Sequence, residues 1–200
     1  MHSGVPRQQF ASQSDEELIA SFQQGHTEAF NVIVARYKNQ LVNFTYRYLG
    51  DYDEADDVAQ ETFLRVYKNK DAYKPVAKFS TWLYTIATNL AKTQLRRRKR
   101  HLIFSLHRKE ENTDRSFEIS DVRYAADLEA HASLKHEIIQ NALDAISPKY
   151  REVVVLFDIQ EFSYEEICAI TGLNMGTVKS RLNRGRKQLQ ELLKDLRDEL

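Results

Sequence analysis

The segment that most restricts the fold is residues 162–189, FSYEEICAITGLNMGTVKSRLNRGRKQL. Ser163 followed by Glu166 predicts a capping box, in which the serine hydroxyl accepts a backbone N–H bond and the glutamate accepts one from the serine's own N–H. Gly172 is placed to end this first helix, because glycine readily adopts the left-handed backbone that follows many helices. Asn174 is placed to cap a second helix. The segment is therefore predicted to form two short helices around a tight turn.

The second of these helices has two different faces when its residues are projected at 100° per residue. The apolar stripe consists of Val178, Leu182, Gly185 and Leu189. The polar and cationic face consists of Ser180, Asn183, Arg184 and Lys187, with Lys179, Arg181 and Arg186 on its flanks. Such a helix is typical of a helix-turn-helix that reads the major groove of DNA. An αα-hairpin with a solvated cationic face is the alternative interpretation.

Composition favours an all-α protein. The 200 residues include 42% hydrophobic residues, only three prolines and six glycines, and strand-like alternating runs are few. The single cysteine, Cys168, excludes a disulfide framework and a Cys-x-x-Cys metal site, and we expect neither a metal nor a cofactor. The sequence shows no apolar run of about 18 residues and no signal-peptide pattern. We therefore expect a cytoplasmic protein that does not insert into a membrane.

The formal net charge of zero conceals two strongly cationic tracts. Residues 72–109 contain ten Lys or Arg and no acid, and residues 167–190 contain five Lys or Arg and no acid. The other 138 residues carry 14 basic side chains against 29 acidic ones. Two cationic surfaces on an otherwise acidic chain predict two contacts with a polyanion.

We expect two small helical domains joined by a flexible linker. Residues 1–13 are polar and lack periodicity, which predicts a disordered tail. The first domain is assigned to residues 14–100 and the second, which contains the helix-turn-helix, to residues 132–200. Between them, residues 101–131 lose periodicity and carry seven acids against four Lys or Arg, which predicts an acidic linker.

Local signals place the helices of the first domain. Ser14 and Glu17 form a second capping-box pattern, which opens a helix through roughly Gln24. Residues 27–49 are rich in apolar and aromatic side chains and predict a long helix that Gly50 ends.

The next helix, predicted from Asp53 to about Lys68, has an unusual exposed face. Four residues lie opposite its apolar stripe: Asp57, Gln60, Glu61 and Leu64. A leucine at the centre of an acidic exposed face indicates a protein partner. A scattered surface leucine is the alternative.

A further helix is predicted from Ser80 or Thr81 to about Arg100, after a loop at residues 73–78. Its core stripe is Leu83, Ile86, Ala87 and Leu90, and the opposite stripe is Thr85, Thr88, Asn89, Lys92 and Arg96. Trp82 lies at the boundary and Phe79 just before the helix. Rings that stack on unpaired bases, beside cations that follow the backbone, suit single-stranded DNA. The alternative is that Trp82 or Phe79 is an ordinary core aromatic.

Three motifs in this order resemble the extracytoplasmic-function sigma factors, group IV of the sigma-70 superfamily. They are Asp-Val-Ala-Gln-Glu-Thr-Phe at 57–63, Phe-Ser-Thr-Trp-Leu-Tyr-Thr-Ile-Ala-Thr-Asn at 79–89, and Ser-Tyr-Glu-Glu-Ile followed by Gly-Thr-Val-Lys-Ser-Arg-Leu within 163–182. Members are two-domain promoter-specificity subunits of bacterial RNA polymerase and are not enzymes. The resemblance covers about residues 14–100 and 130–195.

The resemblance implies roles for the residues of both domains. The second domain would read the duplex minus-thirty-five element through Thr177, Lys179, Ser180, Arg181, Asn183, Arg184 and Lys187. The first would read the melted minus-ten element through Tyr73, Lys74, Phe79, Trp82, Asn89, Lys92 and Arg96. The face formed by Asp57, Gln60, Glu61 and Leu64 would dock on the clamp of the largest polymerase subunit.

The resemblance also implies partners and exposes departures from the family pattern. The partners are core RNA polymerase, including the flap of its second-largest subunit, promoter DNA and an anti-sigma factor. Many relatives have Phe-Arg-Gly where this chain has Tyr73-Lys74-Pro75, so the captured base does not follow from the resemblance. Relatives commonly have alanine at Gly185, and a glycine on the buried stripe predicts close packing there.

Two other functions are considered. A stand-alone helix-turn-helix regulator would bind duplex DNA without polymerase, but it leaves the acidic leucine face without a role. A metal-dependent nuclease would use Asp53, Asp56 and Asp57, or Glu165 and Glu166. It is disfavoured because Asp56 and Asp57 point about 100° apart on a helix and no catalytic metal motif is present.

Overall fold

The structure, a computed structural model, describes residues 8–109 and 127–198, and within these ranges it is helical without strands. The helices are α1 (Gln8–Ala11), α2 (Asp15–Gln23), α3 (Thr27–Leu49), α4 (Tyr52–Lys68), α5 (Phe79–Lys109), α6 (Asp127–Ala145), α7 (Pro148–Val154), α8 (Tyr164–Thr171) and α9 (Met175–Asp198). A short 3-10 helix, Lys70–Ala72, follows α4, and a π-helical segment, Val155–Ile159, continues α7. The predicted fold class, two small helical domains with a helix-turn-helix in the second, is confirmed.

Local capping determines where the helices of the first domain begin and end. The capping box before α2 is present, with Ser14 Oγ accepting from the N–H of Glu17 at 3.3 Å and a Glu17 carboxylate oxygen accepting from the N–H of Ser14 at 2.7 Å. Helix α3 runs over the predicted residues and ends at Gly50, whose φ is 75°. Asp51 caps α4 by accepting from the N–H of Glu54 at 2.9 Å.

Helices α2 to α5 enclose an apolar core. Its largest fully buried side chains include Phe22, Ile33, Leu41, Phe44, Phe79, Leu83 and Tyr84. Helix α3 lies at the centre, because it packs against α2, α4 and α5. The core continues without interruption into α7, α8 and α9, through Val154, Leu156, Ile167 and Leu182.

The chain before α2 differs from the prediction of a disordered tail through residue 13. Residues 8–11 form α1, and the ring of Phe10 is buried 6.0 Å from the ring of His26. Arg36 donates to the carbonyl of Gln13 at 3.0 Å and holds the turn that follows. The buried Phe10 ring and the hydrogen bond from Arg36 of α3 therefore attach this segment to the first domain. Residues 1–7 lie outside the described part of the chain.

The predicted linker boundaries, 101 and 131, also differ from the structure. Helix α5 continues to Lys109 and α6 begins at Asp127. No glycine or proline occurs between residues 79 and 109, so nothing in the sequence breaks α5 at residue 100. Residues 110–126 lie outside the described part of the chain, and their assignment as an acidic linker stays a prediction.

The prediction of close packing at Gly185 is confirmed. A Cβ atom added there would lie 2.7 Å from Cγ2 of Val154 and 3.3 Å from Cβ of Tyr150. Helix α7 therefore approaches α9 more closely than any larger residue would permit. By contrast, a Cβ at Gly176 would meet only the side-chain oxygen of Asn174, at 3.6 Å.

Gly185→Ala should lower the free energy of unfolding. Alanine gains about 1 kcal/mol of helix propensity over glycine, but overpacking of a buried site costs about 1–3 kcal/mol. Chemical denaturation would measure the change in midpoint. Gly176→Ala is the control on the same helix and should leave the midpoint unchanged or raise it. A stabilised Gly185→Ala variant would contradict the close packing of α7 on α9.

Candidate nucleic-acid interfaces

The helix-turn-helix has the termini that the sequence predicts. Ser163 Oγ accepts from the N–H of Glu166 at 3.2 Å, and the Glu166 carboxylate accepts from the N–H of Ser163 at 2.9 Å. Gly172 ends α8 in the left-handed conformation at φ 72°. Asn174 Oδ1 accepts from the N–H of Thr177 at 2.8 Å and so caps α9. These bonds set the turn that positions α9 against α8.

Helix α9 has one packed face and one exposed cationic face. Val178, Leu182 and Gly185 are buried. Five of the predicted minus-thirty-five residues are exposed together on the other side: Lys179, Ser180, Asn183, Arg184 and Lys187. Thr177 and Arg181 are half-buried at the margins. The amphipathic prediction for this helix is confirmed.

Arg186 differs from the neighbouring cations of α9. Its guanidinium pairs with the carboxylate of Asp158, with Nε donating at 3.0 Å, and lies 5.0 Å from the ring centroid of Phe157. Bonding to Asp158 raises the pKa of Arg186. The charge of Arg186 is therefore directed toward the protein, whereas the exposed Arg184 lies beside Tyr150.

The predicted minus-ten residues divide into exposed and buried sets. Lys74, Asn89 and Arg96 are exposed, and Trp82 is half-buried. Phe79 is fully buried and Tyr73 is 5% exposed. The prediction that Phe79 and Tyr73 contact DNA directly is therefore wrong in this arrangement. Phe79 precedes Leu83 by four residues, so its helical spacing already placed it on the core stripe.

The two buried rings instead support Trp82. The centroid of the Trp82 ring lies 5.5 Å from that of Tyr73 and 6.0 Å from that of Phe79. The Tyr73 hydroxyl donates to the carbonyl of Ala77 at 2.9 Å, which closes the loop before α5. The aromatic group therefore orients one partly exposed indole rather than three exposed rings.

Lys92 and Thr88 are not free on the surface of α5, contrary to the prediction from the sequence. Lys92 Nζ lies 2.7 Å from Glu152 Oε1, and the Glu152 carboxylate is almost fully buried. Burial raises the pKa of Glu152, and bonding to Lys92 partly opposes that effect. Thr88 is fully buried. Glu152 is not among the residues predicted from the sequence, although its carboxylate directly precedes the apolar run VVVLF, where an acidic side chain needs a partner.

The predicted docking face on α4 is exposed and is larger than predicted. Asp57, Gln60 and Leu64 are exposed, while Glu61 is half-buried and pairs with Arg65 at 2.9 Å. Leu64 is 51% exposed and Tyr67 is 50% exposed. Leu64 and Tyr67 border a groove of about 440 Å³ between α3 and α4, whose floor includes Phe30, Val34 and Phe63. Leu64 therefore belongs to an apolar patch with an acidic edge.

Neither a metal centre nor a membrane span is found in the described residues. In residues 8–109 and 127–198, no group of three His, Cys, Asp or Glu side chains has the arrangement of a metal site. None of the described helices combines the length and apolar character that crossing a membrane requires. The chemistry available at the two cationic surfaces is the binding of a polyanion. An all-α protein with a cationic helix-turn-helix and a second cationic helix has the features of a DNA-binding protein.

Comparison with known proteins gives the family. Residues 33–101 match the model of sigma-70 region 2, and residues 136–189 match the model of sigma-70 region 4. The chain is 39% identical over 183 residues to the ECF RNA polymerase sigma factor SigW of Bacillus subtilis, a match that covers 90% of this chain and 97% of that protein.

Two solved complexes contain chains with a similar fold. The sigma factor RpoE, crystallised with the anti-sigma factor NepR from Bartonella quintana, has a TM-score of 0.63 and 30% identity, covering 82% of this chain and 96% of that one. CnrH, in complex with the cytosolic domain of CnrY, has a TM-score of 0.68 and 25% identity, covering 92% of this chain and 99% of that one.

The chain belongs to the extracytoplasmic-function sigma factors of bacterial RNA polymerase. It directs promoter-specific initiation of transcription through binding to RNA polymerase. The stand-alone helix-turn-helix regulator is not favoured, because both sigma regions are matched.

Phe79→Ala should destabilise the fold, because truncation of a buried phenylalanine costs about 3–5 kcal/mol. Thermal unfolding followed by circular dichroism would measure the loss. Lys74→Ala, in the adjacent loop, is the control and should unfold with the wild-type protein, because its side chain is exposed. Equal stability of the two variants would show that the Phe79 side chain is not buried.

Proposed function

We propose that this sigma factor binds its promoter at two separate elements. Helix α9 reads the minus-thirty-five element as duplex, and α5 with the loop before it reads the minus-ten element as melted strand. The observation that carries the proposal is the exposed face of residues 175–190 of α9, which contains no acid and lies opposite a face packed on α7 and α8. Promoter reading takes place in the bacterial cytoplasm, and the polymerase supplies the catalysis.

At the minus-thirty-five element, the N-terminal half of α9 enters the major groove. Thr177 lies in the first turn, where the helix dipole attracts a phosphate. Its backbone N–H is bonded to the Asn174 cap, so the side-chain hydroxyl donates to the phosphate. Asn183 and Arg184 have side chains that form bidentate hydrogen bonds with base edges. Four more residues contact bases or phosphates: Lys179, Ser180, Arg181 and Lys187.

At the minus-ten element, the exposed edge of Trp82 stacks on an unpaired base. Asn89 lies two helical turns along α5 and offers hydrogen bonds to a base extruded from the stack. Lys74 and Arg96 follow the backbone on either side, because both are exposed cations. Lys92 joins them once its charge is released from Glu152.

The exposed face of α4 docks on the clamp of the largest polymerase subunit. Leu64 provides an apolar anchor, and Asp57, Gln60 and Glu61 surround it with polar and acidic groups. An apolar centre with a polar rim is the usual composition of a protein interface. The C-terminal domain contacts the flap of the second-largest subunit. Because the similar sigma factor RpoE was solved with the anti-sigma factor NepR, we also propose an anti-sigma partner.

Core polymerase supplemented with this chain should transcribe templates that it does not transcribe alone. Leu64→Asp should abolish this gain, because a buried unpaired carboxylate at an interface is strongly unfavourable. Binding to core polymerase without DNA would be measured in parallel. Val76→Asp, at a residue 91% exposed in the loop before α5, is the control and should bind polymerase as the wild-type protein does. The proposed function would be refuted if core polymerase with this chain transcribed the same templates as core polymerase alone.

Arg184→Ala should weaken binding of duplex minus-thirty-five DNA by about 1–3 kcal/mol and relax discrimination at one base pair. Arg186→Ala is the matched control, because it removes the same charge from a side chain already paired with Asp158. Competition of selected DNA sequences against holoenzyme would measure both effects. An equal loss of affinity for all DNA sequences would indicate that Arg184 contacts a phosphate instead of a base.

A further inference from the structure

The loop before α5, residues 73–78, is exposed between two buried aromatic rings. Tyr73 is 5% exposed and Phe79 is 0% exposed, whereas every residue from 74 to 78 is exposed. Val76, at the middle of the loop, is 91% exposed. The loop therefore stands out from the surface with both of its ends in the core of the first domain.

Gln23, the last residue of α2, holds the first end of this loop. Its side-chain amide donates to two backbone carbonyls, that of Lys70 at 2.8 Å and that of Tyr73 at 3.2 Å. An amide nitrogen carries two N–H donors, so one glutamine can bond both carbonyls. Lys70 begins the 3-10 helix and Tyr73 follows it. The two bonds therefore fix the path of the chain from the 3-10 helix into the loop.

Lys70 makes the reciprocal contact. Its Nζ donates to the carbonyl of Phe22 at 2.8 Å and to that of Gln23 at 3.3 Å, and it lies 4.8 Å from the centroid of the Phe22 ring. The last carbonyls of a helix have no partner within the helix, and a cation is favoured beside them. Hydrogen bonds thus run in both directions between the end of α2 and the chain that enters the loop.

Glu16, in the first turn of α2, holds the other end of the loop. Its Oε1 accepts from the N–H of Phe79, the first residue of α5, at 2.9 Å. This N–H has no partner within α5, and a carboxylate is favoured at the positive end of a helix. Glu16 and Gln23 are seven residues, or about 10 Å, apart on one helix. Helix α2 therefore contacts both ends of the loop across a fixed distance.

We propose that Gln23 and Glu16 are positioning residues for the minus-ten element, because α2 holds both ends of the loop that carries Lys74 and so orders it before DNA binds. This inference rests on the proposed function. A loop that is already ordered loses less conformational entropy when it binds the melted strand. Neither residue lies in the loop or on α5, so each acts on the DNA contacts through the backbone that it holds.

The ring of Trp82 links the order of the loop to the DNA contact. Its centroid lies 5.5 Å from that of Tyr73 and 6.0 Å from that of Phe79, which are the residues that Gln23 and Glu16 hold. Displacement of either end would therefore displace the indole. Trp82 is also the only tryptophan of the chain, so its fluorescence reports the order of the loop when no DNA is present.

The first measurement is acrylamide quenching of Trp82 fluorescence in the free, full-length chain. Gln23→Met keeps the length of the side chain but removes both N–H donors, so the loop should loosen and quenching should increase. Gln24→Met is the matched control, because it makes the same change at the next residue, whose side chain is exposed. Its quenching should equal that of the wild type. Circular dichroism would confirm that both variants are folded.

Two substitutions of Glu16 test the bond at the other end. Glu16→Gln keeps a side-chain oxygen that can accept from the N–H of Phe79, whereas Glu16→Met removes the acceptor at a similar length. Quenching should increase more in Glu16→Met than in Glu16→Gln. Equal quenching in the two variants would contradict the role of this hydrogen bond.

The second measurement is base preference in transcription by core polymerase with each variant. The template is a promoter selected from random DNA with the wild-type chain, together with single-base substitutions in both of its elements. Gln23→Met should reduce the preference for the selected minus-ten bases by about three- to tenfold and leave preferences at the minus-thirty-five element unchanged. Gln24→Met should change neither. A preference is a ratio of two yields, so it does not depend on how much of the chain is folded.

Two results would overturn the proposal. One is equal quenching of Trp82 in Gln23→Met and Gln24→Met. The other is increased quenching in Gln23→Met with unchanged preference at the minus-ten element, which would make its contacts structural only. Failure of the proposed function would look different, because the wild-type chain would then select no promoter, although quenching would still distinguish Gln23→Met from Gln24→Met.

Discussion

The structure depends on the burial of α5 on two sides. Leu83 and Ala87 pack into the core of the first domain, while Tyr84 faces Phe162 of the second. Side chains follow one another at 100° around a helix, so burial on two sides leaves only a narrow exposed stripe. Asn89 and Arg96 lie on that stripe. The same helix is therefore a core element for two domains and a candidate DNA surface, which limits how much DNA it can contact while the domains remain together.

Buried charge determines how the second domain sits on the first. Arg151 is 5% exposed and Glu152 is 2% exposed, next to each other on α7. Burial lowers the pKa of Arg151 and raises that of Glu152, because each charged form loses hydration, and each charge therefore needs a partner within the protein. Arg151 pairs with Asp144 of its own domain at 2.5 Å and donates to the carbonyl of Tyr48 in the first domain at 3.0 Å. Glu152 pairs with Lys92 of the first domain at 2.7 Å. Losing one partner would leave an uncompensated charge, at a cost of about 3–5 kcal/mol, so these residues exclude other orientations more than they stabilise this one.

Whether a feature can be predicted depends on how far apart in the sequence its interacting residues lie. The capping boxes at Ser14 and Ser163 and the left-handed Gly172 involve residues within four positions of each other, and the sequence predicts all three. The faces of α9 follow from one helical period. Phe79 is buried because it lies four residues before Leu83 on the core stripe, and aromatic character alone does not distinguish a DNA contact from a core position. The Lys92–Glu152 pair joins positions 60 residues apart in the sequence, and no local pattern encodes such a contact.

The recognition face of α9 takes no part in the polar contacts that join the two domains. Those contacts pair Arg47 with Gln140, Tyr84 with Gln160, and Lys92 with Glu152. Helix α7 separates the two roles, because its Arg151 and Glu152 contact the first domain while Val154 packs beside Gly185 of α9. Asn183 lies on the exposed face of α9, and substitution of an exposed residue away from such contacts changes the free energy of unfolding little. The DNA sequence that α9 reads can therefore vary without altering how the domains pack.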